Sequence, residues 1–305
     1  MNKYIQLPYG YIDCSGIVHK EVVIRALSGR EEEMLAGSSG QSGAQLSTLI
    51  LSCCVQKIGT VGTVTPSIIR NLSIGDRNFL LLKIREITFG SKISAVVPCP
   101  WHGCGAKMDI DFNIEDIPVR AGSKPAQKWY TISLVRNHFT NPDSFTETVE
   151  MNIRVPDGED QEVISPLLEI NQVHASKVLL SRCISYKGDS GDSIMKIVDN
   201  LTSGGIHYIE QQIEELSPAV DMTIETNCPQ CKRAFDVPLN IQDFFFGELK
   251  ISKHMLRREV HYLAYHYHWS EQEIMSFPRD TRREYIEILG EEIERINSEA
   301  NEIHQ

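Results

Sequence analysis

Two hydrophobic rhythms alternate along this chain. In GDRNFLLLKIREITFG, Phe79, Leu82 and Ile87 recur at helical spacing, which predicts a helix over about 76–88 opened by Gly75 and Asp76. KISAVVP and AKMDIDFNI follow, where Val and Ile content with apolar–polar alternation predicts two β strands separated by CPWHGCG. Upstream, a short strand around 22–27 leads into helical segments near 44–57 and 65–71. Later the order returns, with a strand around 151–155 and a final pair of strands, VDMTIET and RAFDVPLNI, separated by CPQC.

The recurrence keeps register. LILSCCV falls on VLLSRCI with Cys54 opposite Cys183, a shift of 129 (183 − 54). Gly75 falls on Gly204, Phe79 on Tyr208, Ile84 on Ile213, Glu86 on Glu215 and Cys99-Pro100 on Cys228-Pro229, all at 129. Upstream, Ile24-Arg25 meets Ile153-Arg154 and Gly29 meets Gly158. After the first cysteine the shift becomes 127 (240 − 113), because CPWHGC is two residues longer than CPQC, and Asn113 then meets Asn240. A shift that changes only at a loop indicates duplication. The expected fold class is α+β: two tandem units, 1–122 and 123–247, each ending in a knuckle-tipped hairpin, then a helical C-terminal tail, 248–305.

The tail has its own pattern. ISKHMLRREVHYLAYHYHW reads as a helix rich in basic and aromatic residues. Ser270 to Glu273 form a capping box for a short helix that Pro278 ends, and Asp280 starts a last helix to about 303. There Ile286, Leu289, Ile293, Ile296, Ala300 and Ile303 form a stripe of alternating three- and four-residue steps. The stripe is a candidate partner-binding face, Ile286, Leu289, Ile293 and Ile296 first; packing on the chain's own units is the alternative.

The duplicated knuckles point to chemistry. Cys99, Cys104, Cys228 and Cys231 can converge if the hairpins face each other about a pseudo-twofold axis. Four thiolates suit tetrahedral zinc in a split, zinc-ribbon-like site. A closed ligand shell leaves no position for water or substrate, so the expected zinc is structural. His102 competes with Cys104 as a ligand, although the repeat places a cysteine opposite Cys231 only if Cys104 is used.

Composition narrows the rest. A chain of 305 residues, 41% hydrophobic, has material for two domains and an appendage. Its net charge of −11 argues against general nucleic-acid binding, which needs clustered Lys and Arg. No apolar run reaches membrane-span length, and MNKYIQLPYGYIDC lacks a signal-peptide core, so folding in a reducing cytoplasm is expected. Cys53, Cys54 and Cys183 lie in apolar helical stretches and read as core. GSSGQSG lacks the Gly-Lys-Ser/Thr of a nucleotide-binding loop. His261, His266 and His268 scatter around a helix and read as an aromatic face. No nucleophilic triad has supporting context.

VVIRALSGREEEML, GDRNFLLLKIREITFG before the CPxxxCG knuckle, and YHYHWSEQEIMSFPRDTRREYIEIL together resemble a family of baseplate proteins of contractile-tailed, T-even-like bacteriophages, of the hub or hub-assembly type. The second copy carries Gly204-Gly205-Ile206 where the first has Gly75-Asp76-Arg77, which puts a shared role for Asp76 and Arg77 in doubt. The resemblance implies a non-enzymatic virion component, assembled in the host cytoplasm. It would contact tail tube, hub or tape-measure proteins in multiple symmetric copies. An assembly chaperone absent from the virion is the alternative, and a zinc-dependent hydrolase a remote one.

Overall fold

The computed structural model describes residues 2–38, 40–141, 148–186, 194–221, 223–238, 240–248 and 253–303. Strands β1 (Asn2–Ile12) and β2 (Val18–Arg25) form an antiparallel hairpin, and β3 (Val55–Ile58) adds to β2. Around this sheet lie α1 (Gly29–Gly37), α2 (Gly43–Cys54), α3 (Pro66–Arg70) and α4 (Ile74–Phe89). The helices start where side chains can satisfy free backbone N–H groups. Ser42 and Gln45 form a capping box on α2, Thr65 caps α3 with Pro66 in its first turn, and Ser73 caps α4. Leu7, Val22, Ile24, Ile50, Leu51, Leu80 and Ile84 fill the first core.

The second unit repeats this order. Strands β7 (Tyr130–Val135), β8 (Thr148–Ile153) and β9 (Ile184–Ser185) form a sheet in that order. With it come α5 (Gly158–Leu168), α6 (Gln172–Cys183), α7 (Ile194–Asp199) and α8 (Ser203–Leu216). Both α2 and α6 have 12 residues and begin 129 residues apart (172 − 43). The Arg25–Glu31 ion pair at 2.8 Å reappears, at the same shift, as Arg154–Asp160 at 2.7 Å. Burial alone would raise the Asp160 carboxyl. Hydrogen bonds from Arg154, the Asp157 N–H and Arg182 instead hold it below the usual carboxylate range.

Two elements differ from expectation. Residues 55–58 are strand rather than helix, because Val55 and Ile58 turn inward beside β2. β1 was hidden by Pro8 and Gly10, which sit in the irregular stretch between Gln6 and Tyr11 where the register with β2 shifts. This strand links the two cores: Leu7 lies in the first and Tyr9 in the second, where its hydroxyl is 2.9 Å from that of Tyr130. Further links are the pairing of β6 (Val119–Arg120) with β10 (Ala219–Val220), and α9 (Ile241–Glu248), which sends Ile241 and Phe245 into the first core.

The Asp76–Arg77 pair is explained by its neighbours. Asp76 accepts the N–H groups of Tyr9 and Gly10, both at 2.9 Å. At the equivalent place, Gly205 sits so close to the His138 carbonyl that a Cβ would lie 2.4 Å from its oxygen. A direct backbone approach therefore replaces a carboxylate bridge.

The tail comprises α10 (Lys253–Tyr267), α11 (Glu271–Ser276) and α12 (Arg279–Ile303). The Ser270–Glu273 capping box is present. Trp269 stacks on Tyr267 with ring centres 4.6 Å apart and meets Phe277 and Tyr285 edge-on, so this end of the aromatic run is packed, whereas His261, Tyr265, His266 and His268 are exposed. Arg282 is fully buried and ties the tail to α1, donating to Glu32 at 2.8 Å. On the expected stripe Ile286, Leu289 and Ile293 are half-buried, while Ile296 is 52% exposed. The side chains of Ala300 and Ile303 lie outside the described residues.

Gly75 and Gly204 provide a paired test of these packing differences. A Cβ on Gly75 would lie 2.0 Å from the Pro218 carbonyl oxygen, whereas one on Gly204 meets only Thr202 Oγ1 at 3.8 Å. Gly75→Ala should therefore destabilise by at least ~2 kcal/mol through overpacking between backbone segments. Gly204→Ala should be neutral or stabilising by up to ~1 kcal/mol through helix propensity. Urea titration of the two variants beside the parent chain measures the contrast.

Candidate metal centre

Each unit sends out one hairpin. β4 (Lys92–Pro98) pairs with β5 (Lys107–Asn113), and β11 (Thr223–Asn227) pairs with β12 (Ala234–Pro238). Alternation along the strands buries one row: Val97, Met108 and Ile110 on the first hairpin, packed against Ile224, Phe235 and Val237 on the second. These rows form a third small core directly beneath the cysteines, which join it.

The two tips close in the same way. Cys99 N–H donates to the Ala106 carbonyl at 2.8 Å, and Cys228 N–H to that of Arg233 at 3.0 Å. Gly105 and Lys232 occupy equivalent places, and both have φ +60°. Lys232 thus holds a left-handed conformation that glycine adopts more readily. The N–H of Cys231 points at Cys228 Sγ, 3.5 Å away. Across the hairpins, the Trp101 indole N–H donates to the Ala234 carbonyl at 3.3 Å, and the Arg233 guanidinium lies over the Trp101 ring. Neither brace was expected from spacing, because an aromatic inside a knuckle loop carries no periodicity.

All four expected sulfurs meet at one point. The Sγ atoms of Cys99, Cys104, Cys228 and Cys231 lie within 4.8 Å of one another. Cys99 to Cys231 is 3.8 Å and Cys104 to Cys228 is 3.7 Å. These two distances are the pair a local twofold between the tips would make equal. They are far beyond the ~2.05 Å of a disulfide. A regular tetrahedron with Zn–S bonds of ~2.3 Å has edges of about 3.8 Å. The donor set and its spacing are therefore compatible with zinc. Cys99 and Cys228 are buried, Cys104 and Cys231 half-buried, and His102 is exposed and outside the cluster.

The protein surroundings already favour one thiolate. N–H groups of Cys231 and Gln230 pull the Cys228 thiol down to about 6, while burial pushes Cys99 up to about 12. Four sulfurs this close cannot all ionise without a cation, because each negative charge opposes the next. Cys99, Cys104, Cys228 and Cys231 would hold a divalent metal as thiolates, and its charge would remove that conflict. Four protein ligands would close the shell, so the arrangement suits structural joining rather than activation of water. Among the described residues, no other group of three or more His, Cys, Asp or Glu side chains comes together this way.

Residues 11–246 match the family described as T4 bacteriophage base plate protein, and the chain belongs to that family. Residues 250–305 match a second family, described only as a family of unknown function (DUF6760). No curated protein and no solved structure matches the chain. Among the described residues no helix is long and apolar enough to cross a membrane.

Substitutions separate the two possible fourth ligands. Cys104→Ser should lower bound zinc from about one equivalent to below half and reduce thermal stability, since a structural zinc supplies folding free energy. His102→Ala should retain both. Metal analysis after gel filtration, with a melting curve for each variant, checks this.

Proposed function

We propose that this protein is a structural component of the baseplate hub region, a two-unit block clasped by one structural zinc on Cys99, Cys104, Cys228 and Cys231. The carrying observation is the convergence of four sulfurs, contributed by distant halves of a chain in a baseplate family. A closed thiolate shell favours a static clasp and gives a hydrolase no open ligand position. The halves are read as products of duplication. What supports this is the common element order, the constant shift between α2 and α6, and the recurring Arg–acid pair.

The tail supplies the leading partner face. α12 starts buried at Arg282 and runs outward with Ile288 49% and Ile296 52% exposed. Its acidic and basic flanks, including Arg295 between Glu292 and Glu299, keep such a helix soluble until it is covered. In this reading Ile286, Leu289, Ile293 and Ile296 meet a tail-tube, hub or tape-measure neighbour, in multiple symmetric copies around the tail.

Quantitative mass spectrometry of purified particles tests the role. A fixed stoichiometry to the other baseplate proteins is expected. Absence from finished particles, with presence in assembly intermediates, would replace this reading with that of an assembly chaperone.

A further inference from the structure

Two junctions inside this chain are built to one design. At the first, the corner between α3 and α4 sits on the strand-to-helix edge that opens α5. The Gly158 N–H donates to the Leu72 carbonyl at 3.1 Å, and a single antiparallel bridge pairs Ser73 with Asp157. Fully buried Arg77 lies against Gly158, where a Cβ would come within 2.5 Å of Nη1. At the second, the corner between α11 and α12 sits on the edge that opens α1. The Gly29 N–H donates to the Phe277 carbonyl at 3.3 Å, and a bridge pairs Pro278 with Ser28. Fully buried Arg282 lies against Gly29, where a Cβ would sit 3.1 Å from Nη1.

The two corners match residue by residue. Thr65 and Ser270 are the caps, Ile69 and Ile274 the buried residues, and Leu72 and Phe277 supply the carbonyls that accept from the glycine N–H groups. Arg77 and Arg282 are the buried cations, all at a shift of 205 (282 − 77). The tail thus sits on the first unit as the first unit sits on the second. Heterologous packing of this kind leaves one face open at the end of the series.

The equivalent corner of the second unit, between α7 and α8, is occupied on one side by its own chain, where Phe139 is bridged to Leu201 and the Thr202 N–H donates to the His138 carbonyl. On its other side, where Ser203 and Gly204 are exposed, no bridge is made among the described residues, and this is the open face. Val173 stands where the first unit has Ala44; Ala44 is 1% exposed and Val173 70%. Ile170 beside it is 83% exposed. Building on the baseplate reading, we propose that this corner is the docking surface for a strand-to-helix edge of another baseplate protein. The edge would carry glycine or another small residue at the helix start and an uncharged first turn.

The chemistry of the corner selects that partner. In the first unit Thr48 and Arg70 both bind Glu162. Their equivalents, Lys177 and Asp199, already pair with each other at 2.7 Å, so no acidic side chain is required opposite them. Ile206 replaces Arg77, which makes the centre apolar. A second copy of this chain fits poorly. Its α5 edge is covered by its own first unit, and displacing its tail would leave buried Glu32 facing isoleucine instead of Arg282.

The test uses the full-length chain assembled into particles. A benzophenone-bearing residue at position 173 should crosslink to a strand-to-helix junction of a different baseplate protein, located by peptide mass spectrometry. The double variant Ile170→Asp with Val173→Asp should fold with an unchanged melting temperature. Its incorporation should fall about ten-fold or more, because docking would bury two new charges. Ile17→Asp, at a site 58% exposed elsewhere, should incorporate normally. Normal incorporation of the double variant, or a crosslink to a second copy or to the middle of a helix, would overturn the docking assignment and leave the baseplate reading intact. Absence of the unsubstituted chain from particles would overturn both.

Discussion

Four sulfur atoms within 4.8 Å set the constraint around which the molecule is organised. As thiols they would need only hydrogen bonds; as four thiolates they would repel each other unless a cation lay between them. The sulfurs come from residues 99–104 and 228–231, so a metal there closes a loop of more than a hundred residues. The third core beneath them is small: two hairpins with one apolar row each. Two-stranded hairpins are marginal alone in water, and a metal at their tips would compensate for the limited area they bury.

The near-equal cross-tip sulfur distances, 3.8 and 3.7 Å, fit a local twofold at those tips. Below them the bodies are arranged head to tail, since the edge of α5 receives the α3–α4 corner while the equivalent edge of α1 receives the tail. Links of other kinds join the two halves. β1 contributes to both cores, β6 pairs with β10, and α9 returns from the end of the second unit to fill the first core. The tail is held by a buried ion pair, Arg282 with Glu32, whose disruption would leave a charge without compensation. The halves are thus set against each other by several independent contacts, as a building block requires.

Much of this was legible in the sequence because the constant register between residues 22–117 and 151–244 supplied a second reading of many segments. The cysteine set, β4 and β5, α4 and the capping box at Ser270 follow from spacing and side-chain chemistry. Contacts between parts were less accessible. Pro8 and Gly10 concealed β1, since both residues ordinarily break strands and here occupy an irregular register. Nothing local reveals that Phe245 enters the first core, or that Arg77 and Arg282 play matching roles against glycines. In sequence, Gly205 opposite Asp76 puts a shared role for that position in doubt. In three dimensions it is an exchange of a carboxylate bridge for direct backbone approach.

The central claim is that a metal bound by four thiolates joins the halves. X-ray absorption at the zinc edge, on protein purified without added metal, addresses it most directly. The account predicts about one zinc per chain, with four sulfur neighbours at about 2.3 Å and no nitrogen or oxygen in the first shell. A shell containing nitrogen or oxygen, or a folded protein holding no metal with all four thiols free, would contradict it.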